Sequence, residues 1–259
     1  MTTSRLPSAS PDHDPTAPET VAGASKVVGW GLALWGGVQI AGAVLERKPL
    51  ASAIVQAAAA EWGAGRIGIA WSDPLAPMPG WAAIGRRVGR GAALGAAAAG
   101  LVIATSLAMR SATAAWIGPS GGLLVLGLFA SILAAVRDEL LLRGIVLRAT
   151  RGLLPTWVSL LVCGAAAAAA RFGIDGQPAT SLAAEALRGI ALATLWTRDR
   201  GAWMAFAANT SWMWILGAVV HGGFIDARFV TEPDGGAATV AVLAAVAVAA
   251  WASIRRRHS

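Results

Sequence analysis

Residues 137–148 read Arg-Asp-Glu-Leu-Leu-Leu-Arg-Gly-Ile-Val-Leu-Arg and close a long apolar run. They set two adjacent carboxylates, Asp138 and Glu139, beside Arg143, one helical turn further on. Glu139 and Arg143 stand at i and i+4, a spacing that lets them pair on one helix face. Asp138 points about a quarter turn away. A paired carboxylate with a free neighbour suits a general base that activates water. Acids next to lipid are costly, so they mark sites more often than surfaces. The plainer reading is a solvated helix end with a routine ion pair, and these residues alone leave both open.

The elements that hold them belong to a membrane. Hydrophobic residues make up 56% of the chain and charged residues 14%, against about 25% charged in a soluble domain. The apolar blocks approach the roughly 20 residues that cross a bilayer as a helix. A β-barrel would show short alternating strands in place of these Ala/Leu/Val/Gly runs. The expected architecture is all-α, a polytopic transmembrane helical bundle. Expected spans are 27–45, 50–71, 91–109, 119–136 continuing helically to 150, 155–171, 180–196, 202–220 and 237–253. The segment 50–71 carries Gln56, Glu61 and Arg66 and reads as a span or as an interfacial helix, giving eight spans or seven. The division along the chain is a disordered tail over 1–25, N-terminal membrane helices over 26–84, a core over 85–220, and a last span with a basic tail over 221–259. The Pro/Ser/Thr-rich tail lacks the layout of a signal peptide.

The net charge of +7 suggests nucleic acid until its distribution is read. Arginines cluster between apolar runs, at Arg86, Arg87 and Arg90, at Arg198 and Arg200, and at Arg255, Arg256 and Arg257. That is the positive-inside pattern of a multi-pass inner-membrane protein with a cytoplasmic C-terminus; no nucleic-acid partner is expected. The segments 110–118, 172–179 and 222–236 then face outside. Trp157, Trp196, Trp203 and Trp251 read as interfacial anchors, and Gly91 and Gly95 permit close helix packing. Cys163 is the only cysteine, which rules out an internal disulfide and leaves a buried packing role.

Asp138-Glu139-Leu-Leu-Leu-Arg143-Gly144 resembles the EExxxR motif of the CPBP family, the CAAX-protease and bacteriocin-processing intramembrane proteases related to Rce1-type prenyl-protein endopeptidases. Arg188 to Trp203 resembles the family's Gly-rich helix, basic turn and next helix start. Ala208-Asn209-Thr210-Ser211-Trp212-Met213-Trp214 resembles the segment with its last motif. The resemblance covers roughly 85–220 and implies a CPBP/Rce1-like bundle of seven or eight spans. It also implies a membrane-protein segment as substrate, with the lipid bilayer as surroundings. The family's FxxxH and HxxxN histidines fall at Arg171 and Asn209, and its terminal Asn at Met213. Asp138, Glu139 and Arg143 are therefore the retained catalytic positions and Arg171, Asn209 and Met213 the degenerate ones. In the family, carboxylates and histidines activate a water, with or without a metal. No His remains near the acids here, so no metal or other cofactor is expected.

Of the three histidines, His13 and His258 fall in the tails. His221 lies about 18 Å from Asn209 along a continuous helix, at the opposite membrane face. Arg171 is expected to bridge Asp138 or Glu139, making with Arg143 a neutral cluster of two acids and two bases. Glu185 and Arg188, at i and i+3, are expected to pair. The leading function is a pseudoprotease that binds or regulates membrane-protein processing, with a membrane segment or a partner protease bound. Alternatives are an active, diverged endopeptidase of CAAX-type or C-terminal sorting-tail specificity, and a small permease or channel. The Ala/Arg/Trp-rich usage resembles that of a high-GC bacterium; within the family, the resemblance extends to a myxosortase-related branch, whose substrates carry such a sorting tail.

Overall fold

The computed structural model describes residues 20–72, 78–171, 179–221, 223–229 and 236–255. The tail expected over 1–25 lies outside these up to residue 19. Its last part is helical: α1 (Val21–Val44) starts with Thr20 Oγ1 accepting from the Gly23 N–H at 3.0 Å, an N-cap that satisfies one of the first-turn donors. Then follow α2 (Pro49–Arg66), with Pro in its first turn, and α3 (Trp81–Ala108). The sequence expected one helical run from 119 to 150. The structure holds it in three pieces, α4 (Gly121–Asp138), a π-helical turn (Glu139–Gly144) and α5 (Ile145–Thr150). After these come α6 (Thr156–Arg171), α7 (Ala179–Asp199) and α8 (Trp203–Trp214), which runs into a second π-helical stretch (Ile215–Val219), and α9 (Ala237–Arg255).

One element departs from the all-α expectation. β1 (Ala112–Trp116) pairs antiparallel with β2 (Ile225–Phe229), Ala114 opposite Ala227. The strands lie in the segments expected outside. Thr113, Trp116, Ile225 and Phe229 supply the β-branched and aromatic side chains that suit a pleated surface, and Trp116 meets Phe224 edge-on at 4.2 Å. These runs are too short to stand out beside the apolar helices.

Small residues set the packing of the bundle. Gly91 and Gly95 on α3 lie against the Met204 and Ala208 carbonyls of α8, where a Cβ would have no room. Ser211 Oγ donates across the same seam to the Ala92 carbonyl at 3.0 Å. Gly164 and Gly189 bring α6 and α7 together in the same way, and Cys163 is fully buried beside Leu160 and Ala193. α2 buries Ser52, Ala57, Ala60, Gly63 and Ala64 and packs on α1 and α4.

Among the described residues, Val21–Val44 and Trp81–Ala108 are long and apolar enough to cross a membrane, while Thr156–Arg171 and Ala237–Ala249 are shorter apolar helices. Of the tryptophans read as anchors, Trp157 is exposed. Trp196 packs on the core. Trp203 stacks near Trp71 at 5.1 Å and donates to Ser72 Oγ at 3.1 Å; it is tied into the protein and not left to the interface.

Candidate functional site

Glu139 opens the π-helical turn, in which Ile145 N–H donates back to the Leu140 carbonyl, five residues earlier. Such single-turn bulges concentrate at functional sites because they re-aim the side chains around them. Gly144 closes the turn where a Cβ would press on Ile69 and Trp196. The turn places Glu139 and Arg143 in the interior, at 0% and 1% side-chain exposure, with Arg143 Nη1 to Glu139 Oε1 at 2.8 Å. Asn209 on α8 donates its Nδ2 to the same oxygen at 3.2 Å. The sequence-predicted Glu139–Arg143 pair is therefore present, and the residue at the second histidine position is its third member. Glu139 Oε2 and Asn209 Oδ1 are buried and have no partner among the described residues.

Asp138 is not the free neighbour that the spacing suggested. Arg137 holds it at 2.7 Å and also donates to Gln56 Oε1 on α2 at 2.7 Å. The chain thus uses Asp138 to fasten α4 to α2. Arg137 and Gln56 were missed as partners; the signal was a lone amide in an apolar helix and a base directly before the acids.

Arg171 does not bridge Asp138 or Glu139. Its Nη2 lies 3.3 Å from Glu185 Oε1, and Arg188 takes the other oxygen of Glu185 at 2.6 Å. The expected neutral cluster of two acids and two bases is replaced by three separate groups. Arg171 ends α6, and Glu185, two turns into α7, is the carboxylate within its reach. The Glu185–Arg188 pair is as expected. Met213 lines a cavity of about 520 Å³ with Arg171, Arg188, Trp212, His221 and Arg228. His221 sits at the strand end of the bundle, in an isolated bridge to Asp226. Arg188 also lines a small pocket beside Asn209, so it stands between the two regions.

A second cavity of about 560 Å³ lies next to the motif helix, lined by Gly144, Leu147, Arg148, Trp196, Thr197 and Arg200. Neither Asp138 nor Glu139 lines either large cavity. At the same end Arg87 on α3 pairs with Asp199, the last residue of α7, at 3.3 Å. Burial pushes the Asp199 carboxyl above its ordinary pKa, and the Arg87 guanidinium opposes that rise.

The donor set at Glu139 does not fit a divalent metal. One of its two carboxylate oxygens is already paired with a guanidinium, and the side chains donating to it are Arg143 and the amide of Asn209. Among the described residues no three His, Cys, Asp or Glu gather.

Residues 120–215 match the family model for type II CAAX prenyl endopeptidases of the Rce1-like kind. This segment is similar to that family. The match spans the segment from Asp138 to Met213. No curated protein and no solved structure matches the chain.

Proposed function

We propose that this protein is an Rce1-like pseudoprotease that binds a membrane-protein segment, or a partner protease, and regulates processing without cutting. The observation that carries this reading is the closure of Glu139. Its side chain has no exposure, and one oxygen is shared by Arg143 and Asn209. A water-activating carboxylate needs a partner to hold and polarise the substrate carbonyl, and an oxyanion donor is worth about 10²–10³ in rate. Arg171, at one histidine position, is spent on Glu185. Met213, at the Asn position, offers only a thioether. The open volume beside Gly144 and Leu147 is where a bound segment would lie. In this reading eight helices cross the inner membrane, with α2 among them because it packs within the bundle, and the C-terminus is cytoplasmic. The core over 85–220 then contains α3, which the seam of Gly91 and Gly95 joins to α8.

A second reading, an active and diverged endopeptidase, draws on the two orphaned acceptors. Glu139 Oε2 and Asn209 Oδ1 are together what the two hydrogens of one water would satisfy.

Mapping of membrane-protein termini separates the two readings, with wild type, a deletion and an expressed Glu139→Leu/Arg143→Leu variant compared in the native host, followed by cleavage assays on purified protein. The pseudoprotease reading expects the deletion to change termini or protein levels, the double variant to behave as wild type, and the pure protein to cut nothing. Loss of the same cleaved termini in both strains, with cleavage by the pure protein, would overturn it.

A further inference from the structure

The cavity at the strand end of the bundle is built differently from the acid site. Three guanidiniums line it at graded depth: side-chain exposure falls from 84% at Arg228 through 40% at Arg171 to 8% at Arg188. His221 completes the polar side, while Trp212, Met213, Leu216 and Phe229 form an apolar wall. Two carboxylates face these groups. Glu185 is shared by Arg171 and Arg188, and Asp226 meets Arg228 only at 3.7 Å.

A guanidinium fork matches the oxygens of a phosphate in two-point contact. Basic residues at the edge of a membrane bundle hold anionic headgroups. We propose that this cavity binds a phosphate-bearing anion through Arg171, Arg188 and Arg228. The apolar wall fits a lipid headgroup as the source, because the first carbons of the lipid would lie along Trp212 and Leu216 while the phosphate sits among the arginines. The assignment is independent of whether Glu139 is catalytic.

The test is equilibrium binding to the purified full chain in neutral detergent, read by native mass spectrometry. The probes are short-chain phosphatidylglycerol, short-chain phosphatidylcholine and inorganic phosphate. Variants are Arg228→Ala, Arg171→Ala and, as a control on α3, Arg86→Ala. Phosphatidylglycerol is expected to bind more tightly than phosphatidylcholine. Arg228→Ala should weaken it roughly fivefold, the attraction of one cationic side chain to an anionic lipid; Arg86→Ala should not. Arg228 is exposed, so its variant keeps the fold and the result stays interpretable should Arg171→Ala fail to express. Displacement of the lipid by millimolar phosphate supports the phosphate cradle with a soluble source, and retention of the lipid supports the headgroup. Equal binding of the two lipids, or an unchanged affinity in Arg228→Ala, overturns the proposal.

Discussion

The acid site and the strand-end cavity lie in one bundle and have opposite construction. Glu139, Arg143 and Asn209 form a closed, internally neutralised group with no exposure at the carboxylate. Arg171 and Met213, which the resemblance aligns with the histidine and asparagine of the same centre, line an open basic cavity. The difference shows what burial demands of a carboxylate. In a low-dielectric interior Glu139 has its charge matched by Arg143 on its own helix. Arg171 pairs away from this group, with Glu185.

The sharpest way to break that comparison is to remove the match. Arg143→Ala leaves Glu139 buried with only an amide donor. Breaking a buried ion pair from one side costs about 3–5 kcal/mol, so thermal unfolding in detergent should show a severe loss. Replacing both members, as Glu139→Leu/Arg143→Leu, should recover most of that loss, because the pair's desolvation is removed with the pair. A double variant as unstable as Arg143→Ala would mean that the carboxylate has another role in folding.

The next effect acts on the acid site through its scaffold. Asn209 follows Ala208 on α8, and the Ala208 carbonyl lies against Gly95. Gly95→Ala must push α8 away from α3, because the obstruction is backbone and not a flexible side chain. Overpacking of this kind costs about 1–3 kcal/mol. The same shift lengthens the Asn209–Glu139 hydrogen bond. Gly100→Ala, on the same helix with open space at its Cβ position, should be neutral. Unfolding curves for the two variants check the contrast.

Much of this was legible in the chain, for identifiable reasons. Helix positions followed from apolar runs bounded by arginines and prolines. The Glu139–Arg143 pair followed from i, i+4 spacing, and the Gly91/Gly95 seam from small residues one turn apart. Partners across helices were not legible. Arg171 met Glu185 and not Glu139, because the choice depends on how far α6 and α7 slide past each other. Gly164 and Gly189 set that register by contact. The π-helical turn was equally hidden: it adds a residue to a turn without changing the hydrophobic pattern, and it is what sinks Glu139 into the core. The two strands were masked by their length.

The smallest expected effect is the most direct test of whether the two regions are separate. Arg143 pairs with Glu139 and Arg171 with Glu185, so the two arginines share no partner, although Arg188 lies near both groups. Arg171 is 40% exposed, and loss of such a pair alone costs at most about 1 kcal/mol. Residues without shared partners add to within about 0.5 kcal/mol. Arg171→Ala combined with Arg143→Ala should therefore destabilise by the sum of the two single variants. A coupling well above that limit in a double-mutant cycle would show that Arg188 transmits charge between the acid site and the cavity, making one functional unit of what the geometry presents as two.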